Sequence, residues 1–284
     1  MIEVMKKIEI SYQQHAVAGV IEALLLVALV AVIISTIQLI YIPEIMEQRE
    51  ADHMDDVENQ FSYLKSVVDI QSTMQEDIPI SSPITLGSKE LPYFVTARAF
   101  GQLDIIDNTE SHIDTDSFVD QPLTSIQLDA MNSYYIDQDL ILEGGGLIIQ
   151  QYDGETMRIA PSITWESQAT TVYIEWILPE LSSIAGKNST GGFKNCYIRT
   201  NYSSTESKPT ATNHVYIYTD FLDAWNNSLH VIFEEAIEND DISIQKWPVD
   251  TPEYVRIQGD AKNISVDITI VHIGAQIGPG TVLQ

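Results

Sequence analysis

Residues 17–42 are VAGVIEALLLVALVAVIISTIQLIYI, and this run decides the architecture. As an α-helix, about 26 residues at 1.5 Å each reach roughly 39 Å, more than the ~30 Å hydrocarbon core of a bilayer. Glu22 is its one formal charge, and no Pro or Gly falls between Val20 and Tyr41. A helix apolar on every face must be covered all round by lipid or protein. A short leader precedes the run, and an acidic, strand-rich head follows it.

The leader carries Lys6 and Lys7 against Glu3 and Glu9, whereas the far flank has Glu44, Glu47, Glu50, Asp52, Asp55 and Asp56 against Arg49. That bias places the N-terminus in the cytoplasm and the head outside. A secretory signal peptide has a shorter apolar core, of about 7–15 residues, and ends at a small-residue cleavage site. Here the run ends in Ile40-Tyr41-Ile42-Pro43, so a retained helix is expected. Pro43, which has no N–H, should kink or restart it. Beyond Pro43, Met54, Val57, Phe61, Leu64 and Val68 recur at spacings of three and four up to about Met74. This single stripe needs one partner: it packs on the protein's own sheet, or it also contacts neighbouring copies as in a helical filament core.

After Pro79 and Pro83 the period drops to two. Strands are expected at Pro92–Ala99, Gly146–Tyr152, Thr156–Ala160, Thr170–Leu178, Asn195–Thr200, Val215–Thr219, Ile242–Trp247, Glu253–Gln258 and Asn263–Ile273. Asp153-Gly154 is expected to make a two-residue hairpin turn with positive φ at both positions. One helix is expected at about Asp220–Asn239, capped by Thr219 or Asp220, with Phe221, Trp225, Leu229, Ile232, Phe233 and Ile237 as its apolar stripe. Its acidic end, Glu234, Glu235 and Glu238 followed by Asp240 and Asp241, opposes the helix dipole. Residues 101–145, rich in Asp, give little pattern. The expected fold is α+β: a long hydrophobic-then-amphipathic N-terminal helix, then an antiparallel β-sandwich-like head with one inserted helix. Residues 1–16 form the cytoplasmic leader, 17–75 the transmembrane or filament-core helix, and 76–284 the extracellular head.

A formal charge of −27 argues against nucleic acid as a partner, because phosphate binding needs clustered Lys and Arg. Cys196 is the only cysteine, so no intrachain disulfide forms. Sequons at Asn188, Asn201, Asn226 and Asn263 would take glycans only on a translocated face. The six histidines lack the spacing of zinc motifs, and no nucleophile elbow or phosphate-binding loop occurs. His272 is expected to lie with Ile268 and Ile270 on a core or interface face. Asp114, Asp116 and Asp120 are spaced like a calcium loop, yet Phe118 and Val119 occupy two of its required positions. Tyr173, Trp176, Tyr216 and Tyr218 are either core residues or a sugar platform. No enzyme, cofactor or metal is implied.

Glu22 is the exception, because a carboxylate in hydrocarbon is a functional hypothesis by default. The leader with Lys6-Lys7, then His15-Ala16-Val17-Ala18-Gly19-Val20-Ile21-Glu22 opening an unbroken apolar helix, an amphipathic continuation and a β-rich head, resembles archaeal type IV pilin-like proteins. Ala224-Trp225 is similar to a pair in some heads of that family. The resemblance implies a prepilin peptidase as a partner, cutting between Ala16 and Val17, or alternatively between Gly19 and Val20. His15 departs from the family's basic residue before the cut. It also implies that Glu22 resembles the acidic residue near the start of the mature helix, with Leu24, Leu25, Leu29 and Ile33 assembling against other copies or related subunits. The expected function is a structural subunit, major or minor, of a cell-surface filament, anchored in the membrane before assembly. The alternative is a single-pass anchored extracellular binding domain that does not polymerise.

Overall fold

The computed structural model describes residues 2–88, 99–107, 110–185, 187–247 and 253–278, with side chains from Gly19 onward. Helix α1 (Ile2–Thr36) passes through a π-helical turn (Ile37–Tyr41) into α2 (Ile42–Met74) without leaving helical geometry. At 1.5 Å per residue the rod is roughly 110 Å long. The leader's backbone belongs to α1. Pro43 accounts for the π turn: it has no N–H for the carbonyl of Leu39, and Ile42 N–H instead reaches back five residues to Ile37 O. The rod ends at Gln75, whose left-handed φ of 55° lets its N–H bond Gln71 O.

The strands are β1 (Ile80–Thr85), β2 (Phe100–Ile106), β3 (His112–Thr115), β4 (Gln121–Pro122), β5 (Ser125–Met131), β6 (Gln138–Glu143), β7 (Gly146–Gln151), β8 (Gly154–Ile159), β9 (Ser162–Ser167), β10 (Thr171–Ser183), β11 (Ser189–Gly192), β12 (Asn195–Thr212) and β13 (His214–Tyr218). Helices α3 (Leu222–Ile232) and α4 (Glu234–Glu238) follow, then β14 (Ile242–Trp247), β15 (Tyr254–Gly259) and β16 (Asn263–Gly278). They form three sheets, ordered β1-β12-β16-β10-β9, β11-β2-β5-β6-β7-β8 and β14-β15-β13-β3-β4. Pairing is antiparallel except between β10 and β16, which run parallel from Thr171↔Asn263 to Ser183↔Ala275.

The long strands change their buried face part-way along. In β16, Ile264, Val266, Ile268 and Ile270 enter one core, and Val271, Ile273, Ala275 and Ile277 enter a second. Even and odd residues of a strand point to opposite faces, so this sheet is covered on one face at one end and on the other face at the other. The first core is closed by the β13–β15 sheet and α3, with Trp176 and Trp225 at 5.7 Å between ring centres. The second is filled by α2. Met54, Val57, Phe61, Leu64 and Val68 are at most 2% exposed there, between the first sheet and β2, β5, β6 and β7. The stripe's partner is therefore this protein's own head.

Several expectations shift. Residues 92–98 of the expected strand Pro92–Ala99 lie outside the described residues. The two-residue turn is Tyr152-Asp153, one position earlier than expected, and neither residue has positive φ. Gly144 and Gly145, at φ 55° and 82°, make the tight turn between β6 and β7 instead. β12 runs twelve residues beyond Thr200. Past the end of β1 it has an open edge, and Pro209 falls on this edge stretch, where proline is tolerated in sheets. The inserted helix breaks at Phe233.

Candidate functional site

Two surfaces decide what the rod can do. From Val20 to Tyr41 the large apolar side chains are exposed, from 37% at Ile37 to 76% at Leu39, with Leu24, Leu25 and Leu29 above 60% and Ile33 at 51%. No side chain between Gly19 and Tyr41 is buried within the molecule. A helix long and apolar enough to cross a membrane therefore projects bare from the head. Glu22 is exposed on it. Ala16 and Val17 lie within helical backbone, and Gly19 and Val20 are exposed.

Burial begins abruptly with Ile42 at 7% and Met46 at 0%. One turn further, Glu50 is fully buried, and its carboxylate accepts the N–H groups of Ser133 (3.0 Å), Tyr134 (2.6 Å) and Tyr135 (2.8 Å) on Oε2. These amides belong to the β5–β6 connection. The carboxylate thus pins a head loop to the base of the bare helix, with charge-assisted bonds stronger than neutral ones. Further along, Gln60 exchanges bonds with Thr85, accepting its N–H at 2.7 Å and donating to its Oγ1 at 3.0 Å. His53 Nε2 donates to Thr85 O at 2.9 Å, and burial holds this imidazole below its ordinary pKa. Gln71 donates to both Ile78 O and Thr200 O at 3.0 Å. Sequence reasoning missed these polar clasps. The signal was the stripe itself, since its three–four spacing extended from Met54 and Val68 lands on Glu50 and Gln71.

Of the sequons, Asn188 and Asn263 are exposed, whereas Asn201 and Asn226 are half-buried, with the Asn201 amide donating to Asp77 Oδ1. His272 is not a core residue. Its neighbour Ile270 is the last of the inward even positions before the face switch, so the ring turns outward, 3.3 Å from Glu180. The calcium-loop spacing is broken, because Asp116 turns away to accept from Asn213 N–H and Thr212 Oγ1. Those bonds, the Asn213 one foremost, hold its carboxyl below the usual range. The aromatic set divides: Trp176 is core, Tyr173 is exposed, and Tyr216 and Tyr218 lie half-buried on the outer face of β13, each with the Tyr254 ring edge-on at 5.2 and 5.5 Å.

A second buried carboxylate, Glu143, accepts from Thr219 Oγ1 (2.6 Å) and Trp225 Nε1 (2.9 Å). Burial pushes its pKa up to about 7 against those two bonds. The start of α3 is capped from a distance. Neither Thr219 nor Asp220 is the cap: the helix starts later than expected, with Phe221 at the N-cap, and Thr219 Oγ1 accepts only the N–H of Phe221, while the first-turn N–H groups of Asp223 and Ala224 go to Glu155 of β8. The acidic end of the inserted helix is answered by Lys262, whose Nζ lies 2.9 Å from Asp241. Comparison of the chain with protein-family models, curated proteins and solved structures finds no match in any of the three.

Proposed function

We propose that the chain is a structural subunit of an archaeal type IV pilus-like surface filament, assembled through its N-terminal helix with the head exposed for adhesion or surface contact. One observation carries this reading: a single unbroken rod is bare and apolar over 19–41 and built into the head's core over 42–74. A bare rod whose helix continues into the core of its head suits packing against other copies, and lipid would cover the same residues before assembly. Processing by a prepilin peptidase would occur between Ala16 and Val17, or between Gly19 and Val20. Glu22 would then meet the freed α-ammonium of a neighbouring subunit, which offsets its desolvation. In an exported chain Asn188 and Asn263 are the accessible glycan acceptors.

The test is the N-terminal residue of the protein recovered from its own cells, by intact mass or terminal sequencing, together with filaments from Glu22→Ala cells. A start at Val17 or Val20 and loss of filaments in the variant support assembly. An intact Met1 with normal head exposure supports the second reading, a membrane-anchored extracellular binding domain. That reading is favoured by the helical backbone running unbroken through residues 16–17, where a peptidase needs an extended chain.

A further inference from the structure

Asp114, Asp116 and Asp120 share part of a calcium loop's spacing in the sequence, but the fold assembles a different set. β3 puts His112 and Asp114 on the same face, two residues apart. The turn after it brings Asp120 back over them, with Asp120 N–H donating to Asp114 Oδ1 at 2.7 Å. His112 Nε2 then lies 3.8 Å from Asp114 Oδ1 and 3.9 Å from Asp120 Oδ1. All three ligand atoms fall within 4.8 Å of one another.

The imidazole is oriented independently of the two carboxylates. Its Nδ1 lies 2.6 Å from Glu110 O, and because a carbonyl only accepts, Nδ1 carries the proton. In the neutral ring Nε2 then presents a lone pair toward the carboxylates. The other side of the ring is braced on Tyr218, at 4.3 Å between centres and 17° between planes. Metal-bound histidines are held in this way, by donating the second ring nitrogen's N–H to a carbonyl or carboxylate. Two other described histidines form ion-pair contacts with a single carboxylate each, His214 with Asp116 and His272 with Glu180.

We propose that His112, Asp114 and Asp120 bind a divalent transition-metal ion of the zinc or manganese type on the outer face of the β3–β13 sheet. Ligands about 2.1 Å from such an ion stand about 3.0 Å apart at a right angle and about 3.4 Å apart in a tetrahedron. The observed 3.8 and 3.9 Å need only a small inward turn of the carboxylates, and Asp120, with 85% of its side chain exposed, is free to make it. One imidazole nitrogen with two carboxylates is a borderline donor set, suited to zinc or manganese and poorly to calcium, which takes six to eight oxygens. Three protein ligands leave positions for water or for an oxygen ligand of whatever the head contacts.

The test uses full-length, chelator-treated protein in detergent, titrated with Co²⁺ under visible absorption and with Zn²⁺ and Mn²⁺ by calorimetry. An acidic chain of this kind binds cations diffusely, so the variants decide. Expected is one tight equivalent, weakened at least about tenfold by His112→Ala and by Asp120→Asn. Asp116→Asn should leave it unchanged, as should excess Ca²⁺. Circular dichroism establishes that each variant is folded, and Asp120→Asn preserves shape if His112→Ala disturbs the stack on Tyr218. Binding that is indifferent to both variants, equal displacement by Ca²⁺, or only weak multi-site uptake overturns the proposal.

Discussion

Replacing Glu50 by Ala should loosen the head from the base of the rod. The carboxylate is fully buried and receives three backbone N–H groups at 2.6 to 3.0 Å. Each hydrogen bond to a charged group contributes about 1.5–3 kcal/mol net, and an orphaned buried donor costs a similar amount. Ser133 and Tyr134 are exposed residues, so water recovers part of this, and the expected loss is about 2–4 kcal/mol. Helix propensity works the other way, since Ala is the better helix former. Propensity therefore accounts for none of the loss, and Glu50→Gln, which keeps the volume, separates the hydrogen bonds from packing. The assay is amide hydrogen exchange on full-length protein in detergent, with thermal unfolding alongside. Protection of the Ser133, Tyr134 and Tyr135 amides should fall roughly 30- to 1000-fold in Glu50→Ala, and by less in Glu50→Gln, which retains one acceptor. If these amides exchange in the native protein as fast as in a free peptide, or the variant loses less than about 0.5 kcal/mol as at an ordinary surface site, the clasp is not holding the loop.

Three further outcomes follow from the geometry. Glu143 has a folded pKa of about 7 against 4.5 for the free side chain; the folded state keeps a proton that the unfolded chain has lost. Stability therefore falls as pH rises from about 4.5 to about 7, by up to about 3 kcal/mol, then levels. Denaturation across that range should show the slope in the native protein and a clearly shallower one in Glu143→Gln, the remainder coming from Asp139. Gly101→Ala should cost at least about 2 kcal/mol, because the added Cβ would fall 2.1 Å from Leu86 O; an unchanged melting temperature would refute this. Asp129 and Asp139 face each other across β5 and β6, and burial with Asp129's charge raises the Asp139 pKa to about 6. Asp139→Asn should raise the denaturant midpoint at pH 8 more than at pH 5.

Legibility followed how local the cause was. Each element written in one continuous pattern could be read: the apolar run, the α2 stripe and the inserted helix, whose Phe221, Trp225, Leu229 and Phe233 are all buried. What depended on distant partners could not. The acidic end of α4 looked unanswered because Lys262, some twenty residues away, is returned by the β15–β16 turn. Residues 101–145 gave little signal because β6 feeds both cores: Leu140 and Leu142 enter one and Ile141 the other, which erases alternation. The rest of β12 was hidden by its polar sequence, which suits an open edge. His272 shares the face of Ile268 and Ile270 as alternation requires, but past Ile270 that face is no longer the covered one, which no alternation shows. The His112 cluster was invisible for a related reason, since register, which no spacing shows, brings His112 rather than Asp116 beside Asp114 and Asp120.

The boundary expected at residue 75, where α2 ends, can be tested directly as a boundary of folding. The chain changes there from helix to strand, so 76–284 has the composition of an independent head. In the structure Met54, Val57, Phe61, Leu64 and Val68 fill the space between two sheets. Fully burying one such side chain stabilises by about 1.5–3 kcal/mol, so together they supply roughly 7–15 kcal/mol. That equals the whole net stability of an ordinary domain, about 5–15 kcal/mol. A fragment starting at Ile42 should fold cooperatively in water, and one starting at Glu76 should not, remaining partly unfolded and prone to aggregate through Leu103, Ile126 and Leu128. Cooperative melting of 76–284 alone would mean that the helix decorates the head. Its failure, beside a folded 42–284, would mean that stalk and head are one folding unit, so that a load on the bare helix is borne by the core of the head.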